Sequence, residues 1–399
     1  MKVFLLATSF LPSKGGAEIY LHNYASNLIK QKHDVTICVP FINYIKLKKF
    51  KKILKYKLIF FPPKFWFLFF KFRILFNLVS FIFFLSIKIL YRPEVIHCTN
   101  GYPLGISIIK ISKFINFNYL IRCTGEDIQI KKEINYGIRL NKKINNEILK
   151  SFYKGNAFVA MTQTIYDEFL KLNISKNKIS IIPNGINIKD FKKNNRYNLR
   201  AKYNLNKNDF IYICVSRNHP KKGITYLVEA FNKINRDNFK LILYGKDINK
   251  IDTKNKNIIK FDEKDISNQS QAYKEIMQSK VINELYNLSD VFVLPTLIES
   301  FGIVLLEAMA SQIPIISTNT PGVKDVLDNG KYGILVKPNS ADELYLQMIN
   351  IYEKENLRIK MVKETNKIIN SFDIENITKK YISLYQRLIS SDEKNINSN

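Results

Sequence analysis

Short apolar runs recur along the chain, each followed by a polar, turn-rich stretch and then by a segment of helical period. Lys2–Thr8 is the first such run, and the turn Ser9–Glu18 follows it. Tyr20, Tyr24 and Leu28 then fall on one face of a helix. His33–Pro40 supplies a second strand and closes a βαβ unit. Glu94–Gly101, Asn118–Thr124, Asn156–Met161 and Ile179–Pro183 continue the alternation. It restarts at Phe210–Ser216 and runs on through Lys240–Gly245, Ile258–Phe261, Val291–Pro295, Pro314–Thr318 and Gly333–Val336, with helical pattern between most of them. Runs that are apolar throughout belong to strands covered on both faces, and strand–helix alternation joins such strands in parallel. The pattern predicts an α/β protein built of two doubly wound parallel sheets.

The boundaries follow from where the pattern weakens. An amino-terminal domain spans residues 1–190, a Lys- and Asn-rich linker 191–208, and a second domain 209–373. Residues 374–390 carry Ile377, Tyr381, Leu384, Tyr385 and Leu388 on one face, which predicts a packed helix turning back towards the first domain. A disordered tail is expected over 391–399. A length of 399 residues suits two domains, each with its own core. The first apolar run has one Lys before it and no small-residue cleavage site after it, so a buried strand explains it better than a signal peptide.

Charge changes this picture in one region. The formal net charge is +28, which points towards nucleic acid or an anionic membrane surface. Lys, Ile, Asn and Phe are abundant everywhere, so part of that charge is compositional. Residues 35–93, however, hold no Asp or Glu and twelve Lys or Arg. Within them Lys46–Lys57 is densely basic, and Phe60–Ile89 is rich in Phe and Leu around Trp66. Its unbroken apolar part, Ile74–Ile87, is short for a membrane crossing. The segment 41–92 therefore reads as an insertion forming a helix pair in the interface of an anionic membrane; an ordinary buried helix with a solvated basic flank is the competing reading. No RNP-like, helix-turn-helix or zinc-finger pattern accompanies it, so nucleic acid is not an expected partner. Cys38, Cys98, Cys123 and Cys214 are far apart, without a CxxC pair, which argues for a reducing cytoplasm and against a structural zinc.

Candidate chemistry concentrates in Asp290–Thr318. Glu299 lies in the loop after an apolar strand, and Glu307 lies within the following helix. Between them Phe301 and Gly302 open that helix, whose free N–H groups attract an anion or sugar oxygens. By their spacing alone the two carboxylates read sooner as a surface Glu followed by a helix-face Glu than as a binding pair. Gly15 and Gly16 sit at a strand-to-helix turn and either approach a phosphate or merely permit the turn. Arg217 and Lys222, at the corresponding turn of the second half, either hold a diphosphate or are solvated. His97, Glu126 and Asp127 end strands of the first sheet, where ligands of open parallel sheets sit; His97 reads equally as a satisfied core histidine.

Taken in order, GGAE, IPNGIN, SR…KKG, ESFGIVLLEAMAS and PGV resemble the retaining glycosyltransferases of family 4 across nearly the whole chain, roughly 41–92 excepted. The resemblance implies the GT-B fold, two Rossmann-like domains facing across a cleft. It implies transfer of a hexose-type sugar from a UDP or GDP donor to a glycan or lipid-linked acceptor of cell-surface polysaccharide or lipopolysaccharide assembly, with no metal or other cofactor. It assigns Gly15 and Gly16 to the loop near donor and acceptor, and Arg217 and Lys222 to the departing diphosphate. Glu299, assisted by the N–H groups at Phe301 and Gly302, falls to the donor sugar, and Glu307 to the ribose. Many members carry His-Gly where this chain has Thr124–Gly125, so Asp127, beside Glu126, is assigned to the donor sugar or acceptor hydroxyl instead. Ser216 replaces a usual Gly. The expected location is the cytoplasmic face of the cell membrane, bound peripherally. A sugar-nucleotide 2-epimerase or hydrolase, and a non-catalytic membrane-binding protein on the same frame, are the alternatives.

Overall fold

A computed structural model describes residues 1–12, 15–48, 54–65, 68, 71–191, 195–263 and 280–397. The chain divides into two compact units, Met1–Asn184 with Ile374–Asn399, and Gly185–Asp373.

Unit 1 carries a seven-stranded sheet ordered β3-β2-β1-β4-β5-β6-β7. Its strands are β1 (Lys2–Leu6), β2 (Asp34–Val39), β3 (Lys57–Phe60), β4 (Val95–Cys98), β5 (Tyr119–Arg122), β6 (Phe158–Ala160) and β7 (Ile179–Ile181). All pair in parallel, as the apolar runs predict. Helix α1 (Gly16–Lys30) buries Tyr20, Tyr24 and Leu28. Helix α2 (Arg73–Ser86) continues as a π-helical stretch through Tyr91.

Unit 2 repeats the plan with six strands ordered β10-β9-β8-β11-β12-β13. They are β8 (Phe210–Val215), β9 (Phe239–Gly245), β10 (Ile258–Asp262), β11 (Val291–Leu294), β12 (Ile315–Thr318) and β13 (Ile334–Val336), again all parallel. Helix α3 (Ile303–Ala310) joins β11 to β12. After unit 2 the chain returns to unit 1 as helix α4 (Ile374–Asn397), burying Ile377, Tyr381 and Tyr385.

Several expectations are corrected. The segment 41–92 is not an insertion holding only a helix pair: Lys57–Phe60 within it forms the sheet edge, with Lys57 Nζ 3.0 Å from Asp34 of β2. Residues 49–53 of the basic tract, and Trp66, lie outside the described residues. The apolar stretch is longer than its sequence run, because Ile74–Tyr91 is helical for 18 residues; it is long and apolar enough to cross a membrane and only 22% buried. The supposed linker 191–208 is structured as well. Its helix Arg196–Lys202 is held to unit 2 by Arg196 and Arg200, whose guanidinium groups lie 2.8 and 2.7 Å from Asp290. The unit boundary falls at Asn184, and α4 extends past residue 390 through Asn397 where a disordered tail was expected.

Candidate functional site

In each unit the strand order reverses between two neighbours, β1 and β4 in one and β8 and β11 in the other. The loops leaving the carboxyl ends of such strands diverge and leave room for a ligand. Lys222 and Glu299 come from the loops after β8 and β11 and meet across this reversal point in unit 2. Lys222 Nζ donates to Glu299 Oε2 at 2.6 Å, with each side chain 16% exposed.

The two loops are bolted together beneath the pair. The Lys221 carbonyl accepts from Leu297 N–H at 2.7 Å and from the Thr296 hydroxyl at 3.1 Å. Thr318, at the end of β12, donates its hydroxyl to the Thr296 carbonyl. A third support comes from Gly322, in the segment after β12. A Cβ there would stand 2.3 Å from the Glu299 carbonyl oxygen and 2.6 Å from the Ser300 carbonyl carbon, so only glycine lets the backbone pass this close. The sequence flags the motif around Gly322 but gives no sign that it abuts the Glu299 peptide.

Gly302 precedes α3 with φ 84°, a left-handed conformation that glycine adopts without strain, and no side chain caps the helix. The turn sets Glu299 before the helix and Glu307 within it. The two carboxylates differ electrically. For Glu299 burial disfavours ionisation, but the charge and hydrogen bond of Lys222, with Lys221 and the Ser300 N–H, outweigh it and hold the carboxyl below the usual range. For Glu307 burial dominates and pushes the pKa up to about 7, against the opposing hydrogen bond from Tyr286. The Tyr286 hydroxyl donates to Glu307 Oε2 at 2.9 Å. Tyr286 lies in the helix Lys280–Leu288, and nothing in the sequence marked it. Arg217 follows β8 and is exposed; Phe301 is buried beside Gly302.

The candidates in unit 1 fare differently. Gly15 directly precedes α1 and Gly16 is its first residue. Glu126 is exposed. Asp127 is not placed to handle a sugar hydroxyl: it is 4% exposed, and its carboxylate accepts from Gly101 N–H at 2.6 Å, Thr124 N–H at 2.9 Å and Gly125 N–H at 3.0 Å. It ties the loop after β4 to the loop after β5. Burial raises its pKa, while those N–H groups pull it down. His97 is likewise a core residue, 1% exposed, with Nδ1 2.8 Å from the Tyr385 hydroxyl. At the reversal point Thr8 meets Asn100, the hydroxyl donating to the amide oxygen at 2.6 Å between β1 and β4. The described residues hold no cluster of three metal-ligating side chains, and all four cysteines are buried and free.

Comparison with known proteins adds a family to this geometry. Residues 14–190 match the family model Glycosyltransferase Family 4, and residues 195–368 match Glycosyl transferases group 1. A probable sucrose-phosphate synthase of Thermosipho melanesiensis is 30% identical over 221 residues, covering 53% of this chain and 48% of the relative. The UDP-Gal:alpha-D-GlcNAc-diphosphoundecaprenol alpha-1,3-galactosyltransferase of Escherichia coli is 29% identical over 221 residues, covering 54% of this chain and 56% of the relative. The chain thus spans about half the length of these curated relatives. A glycosyltransferase crystal structure from Rickettsia africae superposes with a TM-score of 0.74 at 22% identity, covering 97% of this chain and 99% of that one, which shows a common GT-B fold. With one glycosyltransferase model matched along each half, the chain is a group 1/family 4-like glycosyltransferase.

Proposed function

We propose that the protein transfers a hexose-type sugar from a UDP or GDP donor, with retention, to a glycan or lipid-linked acceptor in cell-surface polysaccharide assembly. The observation that carries this reading is the Lys222–Glu299 pair at the reversal point of unit 2, with Glu307 on the adjoining helix. A departing nucleoside diphosphate gains negative charge in the transition state, and cations fixed near it lower the barrier. Lys222 and the exposed Arg217 supply them. Lys222 rests on Glu299, so phosphate oxygens entering the site share its protons and free a Glu299 oxygen for donor-sugar hydroxyls. Glu307 takes the ribose. The E. coli relative's name specifies a UDP-sugar donor and a lipid diphosphate acceptor, which favours that donor class and a lipid-linked acceptor here.

Helix α2 supports work at a membrane. Ile74 is 88% exposed and Leu90 73%, and Leu78 and Ile82 lie bare on the same stretch, while Phe76, Phe84 and Ile87 pack inward. An apolar face on an acid-free segment suits the interface of an anionic bilayer. The test is incubation with a panel of UDP- and GDP-sugars and lipid-linked acceptors, with the product anomer read by NMR. Retained configuration is expected. Inverted product, or donor epimerisation without acceptor, overturns the reading. Flotation with vesicles containing anionic lipid should capture the protein, and capture unchanged by Ile74→Glu with Ile82→Glu would remove α2 from the membrane contact.

A further inference from the structure

The end of β5 holds a cation that the fold leaves without a counter-charge. Arg122 is 4% exposed, and among the described residues no carboxylate lies within ion-pair distance of it. Its guanidinium donates to the side-chain oxygen of Asn184, reaches Met161 Sδ at 3.8 Å, and lies 4.7 Å from the Tyr20 ring centroid. Its Nε–H has no acceptor. A buried guanidinium served only by neutral groups is poorly compensated for leaving water, and a single ring face restores a minor part.

Three further buried polar atoms in the surrounding cluster make no hydrogen bond of good geometry: His97 Nε2 and the hydroxyls of Tyr20 and Tyr381, which lie near one another with Tyr381 also near Arg122. The residues pack together within unit 1, on α1, β4 and α4. Tyr381 stacks on His97 with centroids 5.2 Å apart, and Tyr24 lies 5.0 Å from Tyr381 and 6.0 Å from Tyr20.

A hydrogen-bond chain leads to His97. The Tyr24 and Tyr385 hydroxyls are 2.6 Å apart, and Tyr385 is 2.8 Å from His97 Nδ1. An acceptor beside Nε2 would select the direction in which Tyr24 donates to Tyr385 and Tyr385 to Nδ1, which puts the ring proton on Nε2. Burial, together with the charge of Arg122, holds the imidazole well below its ordinary pKa, so it is neutral. Each of these four atoms can donate a hydrogen bond to such an acceptor, and the only charge among them is positive. Such a cluster lacks an acceptor bearing negative charge.

We propose that this cluster binds a small oxyanion, a carboxylate or phosphate group, with Arg122 supplying charge and Tyr20, Tyr381 and His97 donating hydrogen bonds to it. Arg122 ends its strand, so the group enters at the carboxyl edge of the unit 1 sheet. The oxyanion is either a free ion or the anionic group of a sugar substrate.

The test is the thermal midpoint of the full chain without nucleotide, so that it does not depend on the proposed transferase reaction. Inorganic phosphate and acetate are compared with glucose 6-phosphate and glucuronate, all referenced to chloride at matched ionic strength. A midpoint that rises with concentration is expected, and the rise should be lost in Arg122→Met and much reduced in Tyr381→Phe, which keeps the ring. A rise with both free and sugar-borne anions supports an ion site; a rise with the sugar-borne ones alone supports a substrate group. No rise above chloride with any probe overturns the proposal, as does a full response retained in both variants.

Discussion

The two units reverse their strand order in the same way and bridge the reversal with different chemistry. In unit 1 the bridge is neutral, the Thr8 hydroxyl to the Asn100 amide, and the nearby carboxylate of Asp127 is consumed by backbone N–H groups. In unit 2 the bridge is an ion pair, Lys222 to Glu299, only partly covered from solvent. A neutral hydrogen bond costs little to leave closed, and its partners also suit hydroxyl groups. An ion pair at a ligand-binding edge has a second use, because phosphate oxygens compete for the cation as soon as they arrive. Topology alone thus does not say which unit handles charge. The side chains set on it do.

The sharpest way to break this contrast is Glu299→Ala. Turnover should fall by about 10²- to 10³-fold while nucleotide binding persists, since Arg217 and Lys222 remain. Single-turnover rates and calorimetry check it, and an intact rate would sever the ion pair from catalysis. Gly322→Ala comes next. The added methyl must displace the Glu299 peptide, and kcat should drop by up to about 10²-fold with the diphosphate Kd little changed. Loss of diphosphate binding together with kcat would point instead to general misfolding of the donor loop.

In unit 1, Asp127→Ala should act on stability. Three buried N–H groups lose their acceptor, for a cost of about 2–4 kcal/mol, read as a lower denaturation midpoint. If turnover vanished with the midpoint unmoved, Asp127 would regain the sugar-handling part that its burial denies it.

The smallest effect expected is a pH dependence. The pKa of Glu307 is raised to about 7, so the free protein holds it mostly protonated at pH 6 and mostly ionised at pH 8. In the proposed ribose role the ionised form would accept two hydroxyls, so nucleoside diphosphate affinity should tighten several-fold as pH rises through that range. Glu307→Gln should flatten the profile. Comparison with the variant cancels the phosphate's own titration, near pH 6.

Much of the fold was legible because buried parallel strands leave near-continuous apolar runs, and β8, β9, β11 and β12 were placed to within a residue or two. β3 was missed because Lys57–Phe60 is a short edge strand inside a segment whose basic and aromatic character suggested something else. The sequence singled out Glu299, Lys222 and Glu307 as candidates because the motifs around them are local. Their supports were not: Gly322, Thr296 and Tyr286 act on groups that chain proximity does not link to them. Asp127 was misread, and His97 left open, for a related reason. A strand-end polar residue looks the same in sequence whether it faces a ligand or is capped by backbone or by a helix, α4, nearly three hundred residues away.

The return of α4 to unit 1 has a consequence in time. The chain leaves unit 1 at Asn184 and rejoins it at Ile374. During synthesis, at roughly 5–20 residues per second, the first unit therefore waits on the order of 10–40 s, while unit 2 is made, for the helix that covers Tyr24 and His97. Until then it exposes an aromatic face, Tyr20, Tyr24 and His97, with Arg122 behind it. A nascent chain stalled within unit 2 is thus a natural client for a chaperone, and the first-made domain is the last to be finished.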